Sequence, residues 1–133
     1  MNYTIYCDGG VLNNQTPHLR RAYFSCHMKD DEKTIKTIEK RQFKRQYTNN
    51  ECEYLGVILS LVSAKKTIKE LTDHIELNTD SMLVVKQISG EYKVKADNLK
   101  VYYRKLKTIL KNYPCKVNLN WMSRNIISKE LGH

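Results

Sequence analysis

At Thr48 the hydrophobic pattern of this chain changes period, and that change limits its possible folds more than any other feature. Before it, apolar residues recur at every second position. Tyr3, Ile5 and Cys7 alternate with Asn2, Thr4 and Tyr6, and Ala22, Phe24, Cys26 and Met28 share one side of a stretch from Arg20 to Met28. Period two is that of a strand. A third strand is expected from Thr34 to Phe43, where Ile35 and Ile38 break the alternation. Gly9-Gly10 and the polar run from Asn13 to Pro17 make a turn or loop. After Thr48, Leu55, Ile58, Leu59 and Val62 fall at helical spacing. They follow Thr48-Asn49-Asn50-Glu51, a Thr-x-x-Glu capping box.

Beyond that helix, short strands alternate with helices. Ile75 and Leu77 mark a fourth strand ending at Asp80, and a short helix from Ser81 to Ser89 stops at Gly90. From Asn98 to Asn112 the stripe Leu99, Tyr102, Tyr103, Leu106, Ile109 and Leu110, continued by Tyr113, predicts a helix. Asp97 is its expected N-cap and Pro114 its stop. Val117, Leu119 and Trp121 alternate in a fifth strand that places Trp121 in the core, and Ser123 onward reads as a loop leading into a stub of helix. The order β-β-β-α-β-α-α-β implies an α/β fold: a five-stranded mixed sheet, three antiparallel strands then two parallel ones, flanked by helices. Strands that follow helices need the parallel crossover. Residues 1–133 form one domain, long enough for a core and too short for two.

The formal net charge of +9 favours a polyanionic partner. No apolar run reaches the roughly 20 residues that span a membrane. The N-terminal residues read as a strand and not as a signal peptide, so a cytoplasmic monomer is expected. Cys7, Cys26, Cys52 and Cys115 are scattered without a C-x-x-C pair, as reduced, partly buried thiols would be.

Asp8, Glu53 and Asp80 each lie where an element begins or ends. Ligands of such sheets gather beyond the carboxyl ends of the parallel strands. Asp8 and Asp80 fall there, and Glu53 lies about a turn into the intervening helix. Mg²⁺ prefers hard oxygen ligands, so two or three carboxylates plus phosphate oxygens make a natural cage. Two such ions can activate an attacking water and stabilise the leaving oxygen of a phosphodiester. Each acid also has a plainer reading: Asp80 as a helix cap, Glu53 as a surface helix residue. The lysines of the 98–112 helix read as a solvated face.

Ile5-Tyr6-Cys7-Asp8-Gly9, Thr48-Asn49-Asn50-Glu51-Cys52-Glu53-Tyr54, Thr79-Asp80-Ser81, the stretch from Leu83 to Lys95 and Trp121-Met122-Ser123-Arg124 occur here in one order. In these segments the chain resembles type 1 ribonuclease H, in the compact form without an accessory hybrid-binding domain. The resemblance implies endonucleolytic cleavage of the RNA strand of an RNA–DNA hybrid, with two Mg²⁺ or Mn²⁺ ions. It implies Asp8, Glu53 and Asp80 as metal ligands. Gly9 and Gly10 would border the RNA sugar edge, Thr48 would hold a DNA phosphate, and Asn49 and Asn50 would read the minor groove. Ser81, Lys86, Lys93, Lys95 and Arg124 complete the implied nucleic-acid contacts.

The resemblance departs at the end of the chain. The family carries a fourth acid in a segment like Pro-Arg-Glu-x-Asn-x-x-Ala-Asp-x-Leu-Ala. Here that Asp falls on Leu131 or Lys129, and Glu130 is the acid beside both. Glu130 is therefore the expected substitute. Met82 stands where the family often has a Gln after Asp-Ser, and the terminal His133 reads as mobile rather than as a proton shuttle. The alternative is a catalytically weak or inactive hybrid- or RNA-binding module on the same fold. A DNA-cleaving relative fits the acids but not the Thr-Asn-Asn segment.

Overall fold

A computed structural model describes residues 2–12, 21–30, 35–43, 46–68 and 74–132. The expected Asn13–Pro17 loop, Thr34 and His133 lie outside the described residues. The elements are β1 (Asn2–Leu12), β2 (Arg21–Asp30), β3 (Ile35–Phe43), α1 (Asn49–Lys65), β4 (His74–Thr79), α2 (Met82–Ser89), α3 (Asp97–Asn112), β5 (Lys116–Trp121) and α4 (Arg124–Leu131). They build a five-stranded sheet in the order β3-β2-β1-β4-β5. β1 pairs antiparallel with β2, and β2 with β3; β1 pairs parallel with β4, and β4 with β5.

Alternation along β1 and β2 sends Tyr3, Ile5, Cys7, Phe24, Cys26 and Met28 to one face, where they pack with Tyr54, Val57, Ile58 and Leu61 of α1. Ile75 and Leu77 of β4, Val84 of α2, and Leu99 and Leu106 of α3 complete this core. The opposite face of β1 and β2 carries α4, which buries Ile127 and Leu131. Its Glu130 carbonyl contacts His27 Nδ1 at 2.7 Å, and its Glu130 carboxylate takes Lys29 Nζ at 2.7 Å. Lys29 also lies 5.7 Å from the Tyr6 ring centroid.

Several details differ from the sequence reading. Gly9 and Gly10 are not a turn: β1 runs through them to Leu12, paired with Phe24 and Tyr23 of β2. The buried line of α1 is Tyr54, Val57, Ile58 and Leu61, rotated about one position from that expected, which leaves Val62 44% exposed. Asp97 is not the N-cap of α3; Ala96 is, and Asp97 opens the first turn, where a negative charge suits the helix dipole, and binds Lys100 at 3.2 Å. Trp121 is not a core residue. It ends the edge strand β5, is 46% exposed, and donates its Nε1–H to the Asp80 carbonyl at 3.2 Å.

The capping box of α1 is present in both halves. The Glu51 amide donates to Thr48 Oγ1 at 3.2 Å, and the Thr48 amide to Glu51 Oε1 at 2.8 Å. This start lies hard against the end of β1, because a Cβ on Gly9 would run into the Cys52 carbonyl. The two backbones touch there, one residue before Glu53 and one after Asp8. Gly9→Ala should therefore cost about 1–3 kcal/mol through forced overpacking. Urea unfolding of the variant against the parent chain checks this, with a lower midpoint expected at unchanged slope.

Candidate functional site

Parallel pairing of β1 with β4 runs to Cys7 opposite Thr79, so Asp8 and Asp80 are the next residues of adjacent strand ends. Asp8 is itself still within β1 and is buried. Asp80 leaves the sheet, and the chain turns at once into α2. The cap of α2 is Ser81, whose Oγ accepts the Val84 amide at 3.2 Å. Asp80 is thereby released from the capping role that its position alone would suggest. Its backbone is tied down by the Trp121 indole, and the Met122 amide donates to the Thr79 carbonyl at 2.9 Å just before it.

The acids at 8, 53 and 80 sense one another. Burial raises the Glu53 carboxyl above its ordinary range, the Ser81 hydroxyl bonded to it opposes this, and the charges of Asp80 and Asp8 add to the rise. Burial and then Asp8 raise Asp80, while Arg124 at the start of α4 acts against the shift. Asp8 accepts a hydrogen bond from the Tyr23 hydroxyl at 3.0 Å. Tyr23 is a site residue that the sequence reading did not single out. Its signal was present in the pairing of Tyr23 with Gly10, two steps along the ladder from Asp8 and Ser25, but that register follows only from the folded sheet.

The donor set suits a hard divalent cation: carboxylate oxygens, partly desolvated and mutually repelling, with no soft ligand among them. Among the described residues, no three His, Cys, Asp or Glu side chains are already spaced as a metal cage. Glu53 is bonded to Ser81 instead.

The structure does not bring Glu130 to these acids. It sits in the last turn of α4, paired with Lys29, whereas the first turn presents Arg124 to Asp80 and Glu53. About two helical turns separate the two residues, enough to take the carboxylate away from the strand ends.

The other expected contacts are spread around the site. Gly9 is occupied in the packing of α1, and Gly10 lies beside Tyr23 and Asn49. Thr48, Asn49 and Asn50 are exposed at the start of α1. Ser81 is buried between its two bonds. Lys86 is partnered by Glu91 at 2.7 Å; Lys93, Lys95 and Arg124 are exposed.

An α/β sheet of this strand order, with acids at the ends of neighbouring parallel strands and on the first helix, has the ribonuclease H-like architecture. The chain belongs to the reverse transcriptase-like family, which matches residues 10–129. It is 31% identical over 124 residues to the bifunctional protein Rv2228c of Mycobacterium tuberculosis, covering 93% of this chain and 32% of that one. The chain thus spans about a third of the length of the curated relatives it matches. The N-terminal RNase H domain of Rv2228c, solved as a fusion with maltose binding protein, superposes with a TM-score of 0.78 at 27% identity. That match covers 96% of this chain and 86% of the other. LC11-RNase H1, solved in complex with an RNA/DNA hybrid, gives 0.82 at 25% identity over 96% and 89%. That protein was isolated from compost by a metagenomic approach.

The raised carboxyls have a consequence for stability. A folded-state value above the unfolded one disfavours folding at pH above the folded value, and the penalty disappears below the unfolded value. In EDTA, Asp80→Asn should melt above the parent chain near neutral pH, with the gap closing toward about pH 4, the unfolded carboxyl range. Thermal melts across that interval check the sign.

Proposed function

We propose that this chain is a metal-dependent endoribonuclease that cleaves the RNA strand of RNA–DNA hybrids. The observation that carries the reading is geometric: the β1–β4 pairing sets Asp8 beside Asp80, and Gly9 packs on Cys52, the residue before Glu53. Membership of the reverse transcriptase-like family and likeness to LC11-RNase H1, itself seen with an RNA/DNA hybrid, support the substrate class.

In this reading Asp8, Glu53 and Asp80 hold two Mg²⁺ or Mn²⁺ ions. When bound, divalent ions there supply activation of water and charge stabilisation at the leaving oxygen, which leaves a 5′-phosphate and a 3′-hydroxyl. The chain's own residues do the rest. Thr48, Asn49 and Asn50 present exposed polar groups on one side of the acids, and Gly10 lets backbone approach the sugar edge, where the 2′-hydroxyl marks RNA. Arg124 provides fixed positive charge beside Asp80 and Glu53 and is placed to steady a phosphate. Lys86, Lys93 and Lys95 around the Gly90 turn reach further backbone phosphates, and Ser81 steadies Glu53. The excess of positive charge draws the hybrid in and makes binding salt-sensitive. Cys7, Cys26 and Cys52 are buried and in no disulfide, in keeping with a reducing cytoplasm, where the chain acts as a monomer.

A second reading, a hybrid-binding module with little turnover, is favoured by the engagement of Glu130 with Lys29, which among the described residues leaves no fourth acid at the site. Labelled hybrid, duplex RNA and duplex DNA, incubated in Mg²⁺ and in Mn²⁺, separate the two. Cleavage confined to the RNA of the hybrid, and reduced by Asp8→Asn or Asp80→Asn by about a hundredfold or more, supports the nuclease. Salt-sensitive binding with no product in either metal supports the module.

A further inference from the structure

The acids of the site are each held by a different neighbour. Ser81 bonds Glu53, the Trp121 indole holds the Asp80 backbone, and Tyr23 bonds Asp8. The Tyr23 contact is the one that touches a proposed ligand from a strand with no acid of its own in the site. β2 runs antiparallel to β1 with Ser25 opposite Asp8 and Tyr23 opposite Gly10. Tyr23 and Asp8 are thus diagonal neighbours on one face, a separation that a long aromatic side chain bridges. The ring has room because position 10 has no side chain. A Cβ there would stand 3.1 Å from the Tyr23 hydroxyl and 3.2 Å from Asn49 Oδ1. Tyr23 is therefore fenced by Gly10 below and the start of α1 beside it, with buried Ala22 and Phe24 anchoring its strand. Its hydroxyl donates to Asp8 Oδ2 at 3.0 Å.

We propose that Tyr23 is a positioning residue: its hydroxyl engages Asp8 Oδ2, fixes the carboxylate plane, and leaves the other oxygen to face the cation site. This rests on the reading of Asp8 as a metal ligand. A hydrogen-bonded ligand carboxylate meets the ion already oriented, so little ordering is required when the ion binds. Phenylalanine at this position would keep the ring's packing and remove only the bond.

The test compares the parent chain, Tyr23→Phe and Asp8→Asn. Mn²⁺ affinity is measured by titration calorimetry without nucleic acid, hybrid affinity by anisotropy in EDTA, turnover on the hybrid in Mn²⁺, and the melting temperature. For Tyr23→Phe, Mn²⁺ affinity and kcat should each fall about tenfold, the scale of losing a hydrogen bond behind a metal ligand. Hybrid affinity in EDTA should match the parent, and the melting temperature should fall by no more than one lost hydrogen bond accounts for. Unchanged Mn²⁺ affinity in Tyr23→Phe, with Asp8→Asn binding Mn²⁺ poorly, overturns the role of Tyr23 and leaves the metal site standing. Weaker hybrid binding in EDTA at unchanged Mn²⁺ affinity also overturns it, since Tyr23 would then be a substrate contact. Parent-like Mn²⁺ affinity in Asp8→Asn overturns both readings.

Discussion

The site depends on a contact between two backbones. Where Gly9 meets the Cys52 carbonyl, the first turn of α1 lies directly on β1, just past the end of its pairing with β4, with no side chain to hold them apart. That approach sets how near Glu53 comes to Asp8. The capping box at Thr48 fixes where α1 starts, and the β1–β4 pairing fixes Asp80 beside Asp8. Once these are set, like charges are held in one desolvated corner against their mutual repulsion. The core beneath supplies the opposing force, with Tyr54, Val57 and Leu61 of α1 packed on Ile5 and Cys7 of β1. In the proposed function, a divalent cation bound by these carboxylates would relieve that repulsion.

Much of this was legible in the sequence because it is local or periodic. The change of period at Thr48, the capping box, the Gly90 stop and the alternation of β1 and β2 are short-range signals. The first and last were read directly, and the box is complete in the structure. What was misread depends on neighbours far along the chain. Trp121 continues the alternation of Val117 and Leu119, but it ends the edge strand and stays 46% exposed. Val62 has a helical spacing that fits a core face, yet the face is chosen by the sheet, which takes Leu61. Asp97 has the chemistry of a cap and sits one residue too late for it.

For the proposed site, the acids at 8, 53 and 80 lie in short segments that also specify the elements carrying them. Tyr23 could not be found in this way, because its bond to Asp8 depends on the β1–β2 register. Glu130 shows the opposite failure. It is the acid nearest in sequence to the expected position, but helix geometry and Lys29 take it elsewhere. α4 is thus the part of this molecule that differs most from the pattern it resembles. It turns Arg124, a fixed cation, toward the acids and turns its carboxylate toward β2.

The location of bound Mn²⁺ tests the account most directly. Anomalous diffraction from crystals of this chain grown with Mn²⁺ should place the metal against the carboxylates of Asp8, Glu53 and Asp80, with Glu130 still on Lys29. Manganese bound elsewhere on the chain, with those three side chains apart and unligated, would contradict it.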